Sequence, residues 1–249
     1  MRPPGMRLGR LPHDPAALAA APRHRFGAVP PPAVLDRSAL AFTPGLYSND
    51  TLPDCTAVAL ANAARGVAEL QGYDLVVEAD RVPRFYAWCI GNPPNLAATD
   101  GANMLDVLTL QQSYGFFIGP QLLVGRFGSI DVASRSALAA GLARLGPGYW
   151  GVTLRERDMQ RAPIWDVRPG RDDGAVVGGH ALIAWDYTGL ADEATVRLGT
   201  WGGWQPATWS WIAARLEEAH GVVWRQLVRA DGTFYDGLTA DDLVAEVEA

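Results

Sequence analysis

The chain has 249 residues, a formal net charge of −6 and a pI of about 5.2. Its 49% hydrophobic and 19% charged residues are a globular balance that excludes intrinsic disorder, and its acidity excludes the basic footprint of a nucleic-acid binder. All 21 basic residues are Arg, which removes a Schiff-base lysine, a Walker-type lysine and a Ser–Lys dyad from consideration. No apolar run reaches the ~20 residues of a membrane span, so no membrane partner is expected.

Residues 1–45 carry nine of the 18 prolines, including Pro30-Pro31-Pro32. They read as an extended arm with one short helical turn near Pro15–Ala21, pinned on its own domain or on a partner. The apolar run from Ala16 to Ala21 is too short for a secretory signal.

Residues 55–70 read as a helix. Its polar side chains, Asn62, Arg65 and Glu69, fall on one narrow face, and the rest is apolar or small. Such a helix is central and buried. Asp54 stands where its N-cap belongs, which puts Cys55 in the first turn.

Further helices are expected over Asn103–Ser113, Val132–Leu145 and Trp209–Glu218, with His220 just past the last of them. Strands are expected over Tyr149–Leu154, Ala175–Asp186, Thr195–Trp201 and Val222–Val228. Helices first and strands later predict an α+β fold with a helical half and an antiparallel sheet half. The domain reading is arm 1–45, domain 46–235 and an acidic tail 236–249.

Among possible nucleophiles, no G-x-S-x-G elbow is present, and Cys55 is the candidate. A helix N-terminus favours a thiolate and offers backbone N–H groups to an oxyanion, while the charge of Asp54 opposes the thiolate. His180 is the candidate base. It follows Gly178-Gly179, which admit close approach of another segment, and it opens the apolar strand Ala181–Trp185. Cys89 is a possible disulfide partner of Cys55 or plain packing. The five tryptophans within Trp201–Trp224 are core or a binding surface. Asp, Glu and His spacings offer no metal site, and no phosphate loop is present, so no cofactor is expected.

Cys at the head of a buried helix, Gly-Gly-His opening a strand 125 residues on, and a Trp-Gly strand end resemble the papain-like cysteine peptidases. The stretch Asp100-Gly101 followed by Tyr114-Gly115 resembles the family's middle segment. The resemblance implies Cys55 as nucleophile, His180 as base and Asn49, six residues before the Cys, as oxyanion donor. It implies a substrate cleft bordered by Asp54, Gly178, Gly179 and Trp201. The family's third catalytic residue, an Asn, falls on Gly199; Thr200 or Gln205 is left to orient His180.

The arm Leu8-Gly9-Arg10-Leu11-Pro12-His13-Asp14-Pro15, the segment Asn49-Asp50-Thr51-Leu52-Pro53-Asp54-Cys55-Thr56 and Thr200-Trp201-Gly202 resemble papain-fold proteins of phages and prophages. That resemblance implies either hydrolysis of a peptide or isopeptide bond, or a silent domain serving as a tail, adaptor or capsid-surface protein. Expected partners are a peptide or protein substrate, or neighbouring virion proteins held through residues 1–45. The expected location is a virion or the bacterial cytoplasm. A cell-wall amidase shares the Cys-then-His order and is a third reading.

Overall fold

The computed structural model describes residues 6–26, 30–160 and 162–248. In chain order the elements are α1 (Pro15–Ala20), β1 (Arg23–His24), α2 (Cys55–Leu70), α3 (Arg81–Cys89), α4 (Met104–Tyr114), β2 (Phe116–Phe117), β3 (Leu122–Leu123) and β4 (Gly125–Ser129). There follow α5 (Arg135–Leu145), β5 (Gly148–Arg155), β6 (Val176–Tyr187), β7 (Thr195–Thr200), β8 (Gly203–Thr208), α6 (Trp209–Arg215), β9 (Leu216–Trp224), α7 (Ala240–Ala245) and β10 (Val247–Glu248). The α+β division predicted from the sequence is the observed one.

Among the described residues one sheet has the order β10-β1-β4-β9-β5-β6-β7-β8, and β2 and β3 form a separate hairpin. Every ladder of the large sheet is antiparallel except β1 on β4, which is parallel. Strand side chains alternate between faces, and both faces are covered. Tyr149, Ala181, Ile183 and Trp185 pack on the α2 side with Leu60 and Val67. Trp150, Leu182 and Ala184 pack on the other side with Leu138, Leu142, Trp209 and Trp211. Burial on both faces explains why Ala181–Trp185 is an unbroken apolar run.

Helix α2 is buried at every residue except Arg65, Glu69 and Leu70. Asn62, read as part of a polar face, is buried as well. Its amide accepts from Gly45 N–H at 2.7 Å and donates to Gly45 C=O at 2.9 Å, so its polarity is spent inside the protein. Helix α5 begins at Arg135 rather than Val132, because Ser134 caps it by accepting from Ala137 N–H.

The helix expected over Trp209–Glu218 stops at Arg215. Leu216 turns extended and starts β9, so His220 lies in a central strand. Pairing with β5 outweighs the helix preference of Leu-Glu-Glu-Ala, and β4 adds its ladder from His220 onward.

The arm folds back onto its own chain. Arg37 is buried, with its guanidinium donating to Trp185 C=O at 2.6 Å and Leu142 C=O at 2.7 Å. Residues 236–249, read as a tail, include α7, capped by a Thr239–Asp242 box, and β10, which pairs with β1.

Candidate active site

The head of α2 meets the start of β6 and the end of β7. Cys55 opens α2 and is 1% exposed; its Sγ accepts from the N–H of Ala181, the residue after His180, at 3.4 Å. His180 is equally buried, in β6 opposite Val152 of β5. His180 Nε2 and Thr200 Oγ1 share a 2.6 Å hydrogen bond. With Nε2–H donating to the hydroxyl, Nδ1 is the basic nitrogen. Gln205 is elsewhere, donating to Ala162 C=O and Pro206 C=O.

The indole of Trp201 stacks on the imidazole, with centroids 4.3 Å apart and planes 18° apart. Trp201 has φ +45°, a left-handed backbone that costs a non-glycine residue about 1–2 kcal/mol. That turn at the end of β7 is what lays the indole over His180 and shields it from water.

Asp54 is corrected on two points. It occupies the N-cap position, but its side chain makes no capping bond. It is also fully buried rather than on the cleft surface, and its carboxylate accepts from the Ser48 hydroxyl. Burial drives its pKa up to about 6, against hydrogen bonds from Ser48 and Asn49. Asn49 Nδ2 donates to Leu52 C=O at 3.1 Å, so its amide is engaged within its own turn.

Both cysteines are free. Burial pushes the Cys55 thiol up to about 12; the nearby Asp54 charge adds to that, and the N–H groups of Ala181 and Gly9 and the Arg10 charge oppose it.

Gly9 and Arg10 belong to the arm, and sequence reasoning missed their place. Residues 7–12 form one wall of a surface groove whose other walls are Pro53, Thr99, Asp100, Thr153, Val176–Gly179 and Glu217. Arg10 N–H donates to Gly179 C=O at 3.2 Å, Leu11 N–H to Ala102 C=O at 3.0 Å, and Ala102 N–H to Gly9 C=O at 2.8 Å. At the near end Arg7 N–H donates to Asn49 C=O, and the Trp201 indole N–H donates to Arg7 C=O at 3.1 Å. The close approach that Gly178-Gly179 permit is used by this segment: a Cβ on Gly179 would lie 2.3 Å from the Arg10 carbonyl oxygen. The signal in the sequence was Leu8-Gly9-Arg10-Leu11 itself, a glycine beside a lone charge in an apolar stretch.

Of the tryptophans between 201 and 224, Trp209, Trp211 and Trp224 are buried in the core, and Trp201 and Trp204 are half-buried.

No protein-family model matches the chain, and no curated protein sequence does. Solved structures do. Xylellain, a cysteine protease from Xylella fastidiosa, aligns with TM-score 0.59 and 13% identity over 89% of this chain and 97% of that one. Procathepsin B S9 from Trypanosoma congolense aligns with TM-score 0.62 and 11% identity over 86% of this chain and 85% of that one. Procathepsin L 3 of Tenebrio molitor larval midgut aligns with TM-score 0.59 and 10% identity over 88% and 76%. The fold is therefore that of the papain-like cysteine proteases.

Proposed function

We propose that the chain is a latent cysteine peptidase of the papain type, of the kind carried by phages and prophages. The observation that carries this reading is the seating of Gly9 and Arg10 between Ala102 and Gly179, the residue directly before His180. A peptide substrate would need the same two backbone edges. Two of the similar structures are pro-forms by name, procathepsin L 3 and procathepsin B S9.

Once residues 7–12 leave, water and substrate reach Cys55, and the burial that holds its proton is relieved. His180 takes the thiol proton. The sulfur attacks the carbonyl carbon of a peptide or isopeptide bond, and the oxyanion is held by the Cys55 N–H and a reoriented Asn49 amide. The imidazolium returns the proton to the leaving amine, leaving an acyl-enzyme. A water, deprotonated by His180, then releases the acid and restores the thiol. Thr200 keeps the imidazole in the productive tautomer.

The phage reading rests on the segments Leu8–Pro15, Asn49–Thr56 and Thr200–Gly202. It carries a virion or bacterial cytoplasmic location with it. The burial of Cys55 also favours a second reading: a silent domain built into a virion, with residues 1–45 as its tie to neighbours.

The test uses the full chain with Gly9→Ala, whose Cβ would lie 1.9 Å from the Pro53 carbonyl oxygen and so expels the arm. Incubated with a mixed fluorogenic peptide library, this variant is expected to cleave peptides, and its Cys55→Ala derivative is expected to be inert. A Gly9→Ala chain whose Cys55 alkylates readily but which cleaves nothing would favour the structural reading.

A further inference from the structure

The arm shows which side chain the groove is built to take. Arg10 is 3% exposed, and its guanidinium reaches two adjacent carboxylates. Nη1 donates to Glu218 Oε1 at 2.7 Å, and Nη2 donates to Glu217 and, at 3.3 Å, to Thr153 Oγ1. Thr153 Oγ1 in turn donates to Glu217 Oε1 at 2.5 Å.

The space for this side chain comes from the fold. A Cβ on Gly151 of β5 would stand 2.7 Å from Arg10 Cδ, from Glu218 Cγ and from Met104 Sδ. Only a residue without a side chain leaves the shaft open between β5 and α4.

Glu218 is completely buried in β9. Its second oxygen, Oε2, faces His220 Nε2 at 3.2 Å, and His220 Nδ1 is 3.2 Å from Ser129 Oγ. The frame of the domain therefore engages one oxygen and presents the other to the groove. Burial pushes Glu218 toward protonation; His220 and Arg10 outweigh it, and the net direction is down. When the arm departs, Arg10 goes with it, and so does His13, whose Nδ1 is 3.8 Å from Glu218 Oε1. A buried carboxylate that loses its cation is costly.

We propose that this shaft is a specificity pocket for the arginine side chain of a peptide or protein substrate, with Glu218 at its floor and Glu217 at its mouth. The inference rests on the peptidase reading and names its substrate class. The arginine recognised lies within two residues of the scissile bond, because Arg10 N–H pairs with the carbonyl of Gly179, the residue directly before His180. Its planar fork can address Glu218 and Glu217 together. A lysine ammonium, a single point charge, fits this arrangement less well, and leucine leaves Glu218 unpaired.

The experiment separates the pocket from the chemistry. Full-length Gly9→Ala/Cys55→Ala is titrated by calorimetry with blocked hexapeptides that differ at one central residue, Arg, Lys, Leu or Glu. The same peptides are given to Gly9→Ala for cleavage. Arg10→Met replaces Gly9→Ala in a parallel series, so that neither set depends on one variant folding. The expected result is Arg bound about tenfold or more tighter than Leu, with Lys between, and near parity in Glu218→Gln. Equal affinity for Arg and Leu, a preference that survives Glu218→Gln, or no binding in either series would overturn the pocket. Selective binding without cleavage would leave the pocket standing and overturn the peptidase reading instead.

Discussion

Thr200 Oγ1 lies 2.6 Å from Nε2 of His180, one residue beyond Gly199, where the resemblance placed the family's asparagine. A hydroxyl at the end of β7 thus fixes the imidazole where Gly199 has no side chain to do so. Removing it frees ring rotation and tautomer without opening a large cavity. Thr200→Val is expected to lower kcat of the arm-released chain by about tenfold to a hundredfold, part of the 10²–10⁴ that general acid–base catalysis supplies. Thr200→Ser should restore most of it. Equal kcat for Val and Ser, at unchanged Tm, would assign Thr200 a packing role only.

The arm controls the thiol through burial. With Cys55 1% exposed and its pKa pushed up to about 12, alkylation by iodoacetamide should be slow in the intact chain throughout pH 5–9. In Gly9→Ala the sulfur gains water and keeps His180, so alkylation should rise by about tenfold or more and extend below pH 7. Mass spectrometry resolves Cys55 from Cys89, which is half-buried and whose burial also raises it to about 12. Equal rates in the two chains would mean that the arm does not gate the sulfur.

The parts of the site that were legible in the sequence are those fixed by local chemistry. An Ala-rich segment after Asp54 can only be a buried helix, and Gly-Gly-His before an apolar run can only open a tight strand. Other parts depended on tertiary pairing. Leu216–His220 has helix-forming residues yet is a strand, because β5 pairs along it and β4 takes over the other edge from His220 onward. Gly203–Thr208 contains Pro206 and still forms β8, which is possible because β8 is the sheet's edge. Helix α3 was not anticipated, and Pro83 sits in its first turn, where a missing N–H costs nothing. The meeting of Arg10 with Glu217 and Glu218 spans more than 200 residues and no local pattern encodes it.

Asp54 makes a prediction whose sign is unusual for a carboxylate. Its folded pKa, about 6, lies above the model-peptide value of 3.8. The folded state therefore binds more protons between those values, and stability falls as pH rises from 3.8 to 6. Above pH 6 the ionised, buried carboxylate costs about 3 kcal/mol. Asp54→Asn keeps an acceptor for Ser48 and loses the titration. By urea unfolding, it should be more stable than the parent at pH 8 and lose that advantage at pH 4. Removing the charge should also lower the Cys55 thiol pKa, because Asp54 raises it. A variant less stable at pH 8 than at pH 4, relative to the parent, would reverse this account.

His24 acts in the opposite direction over an overlapping range. It lies in β1, buried against Gly221, whose carbonyl is 3.2 Å from Nε2. Burial is the main force holding it neutral; the Gly221 carbonyl opposes that and His220 adds to it, leaving a pKa of about 4 against 6.5 for a free imidazole. The unfolded chain binds the extra proton, so stability is complete above pH 6.5 and is lost as pH falls toward 4, by about 3 kcal/mol. The loss falls first on β1, the only arm strand in the large sheet among the described residues. His24→Gln retains a donor for Gly221 C=O and has no charge to gain. Its acid limb, followed by hydrogen exchange of the β1 amides between pH 7 and 4, should be flatter than the parent's. An acid limb as steep in His24→Gln as in the parent would place the titrating group elsewhere.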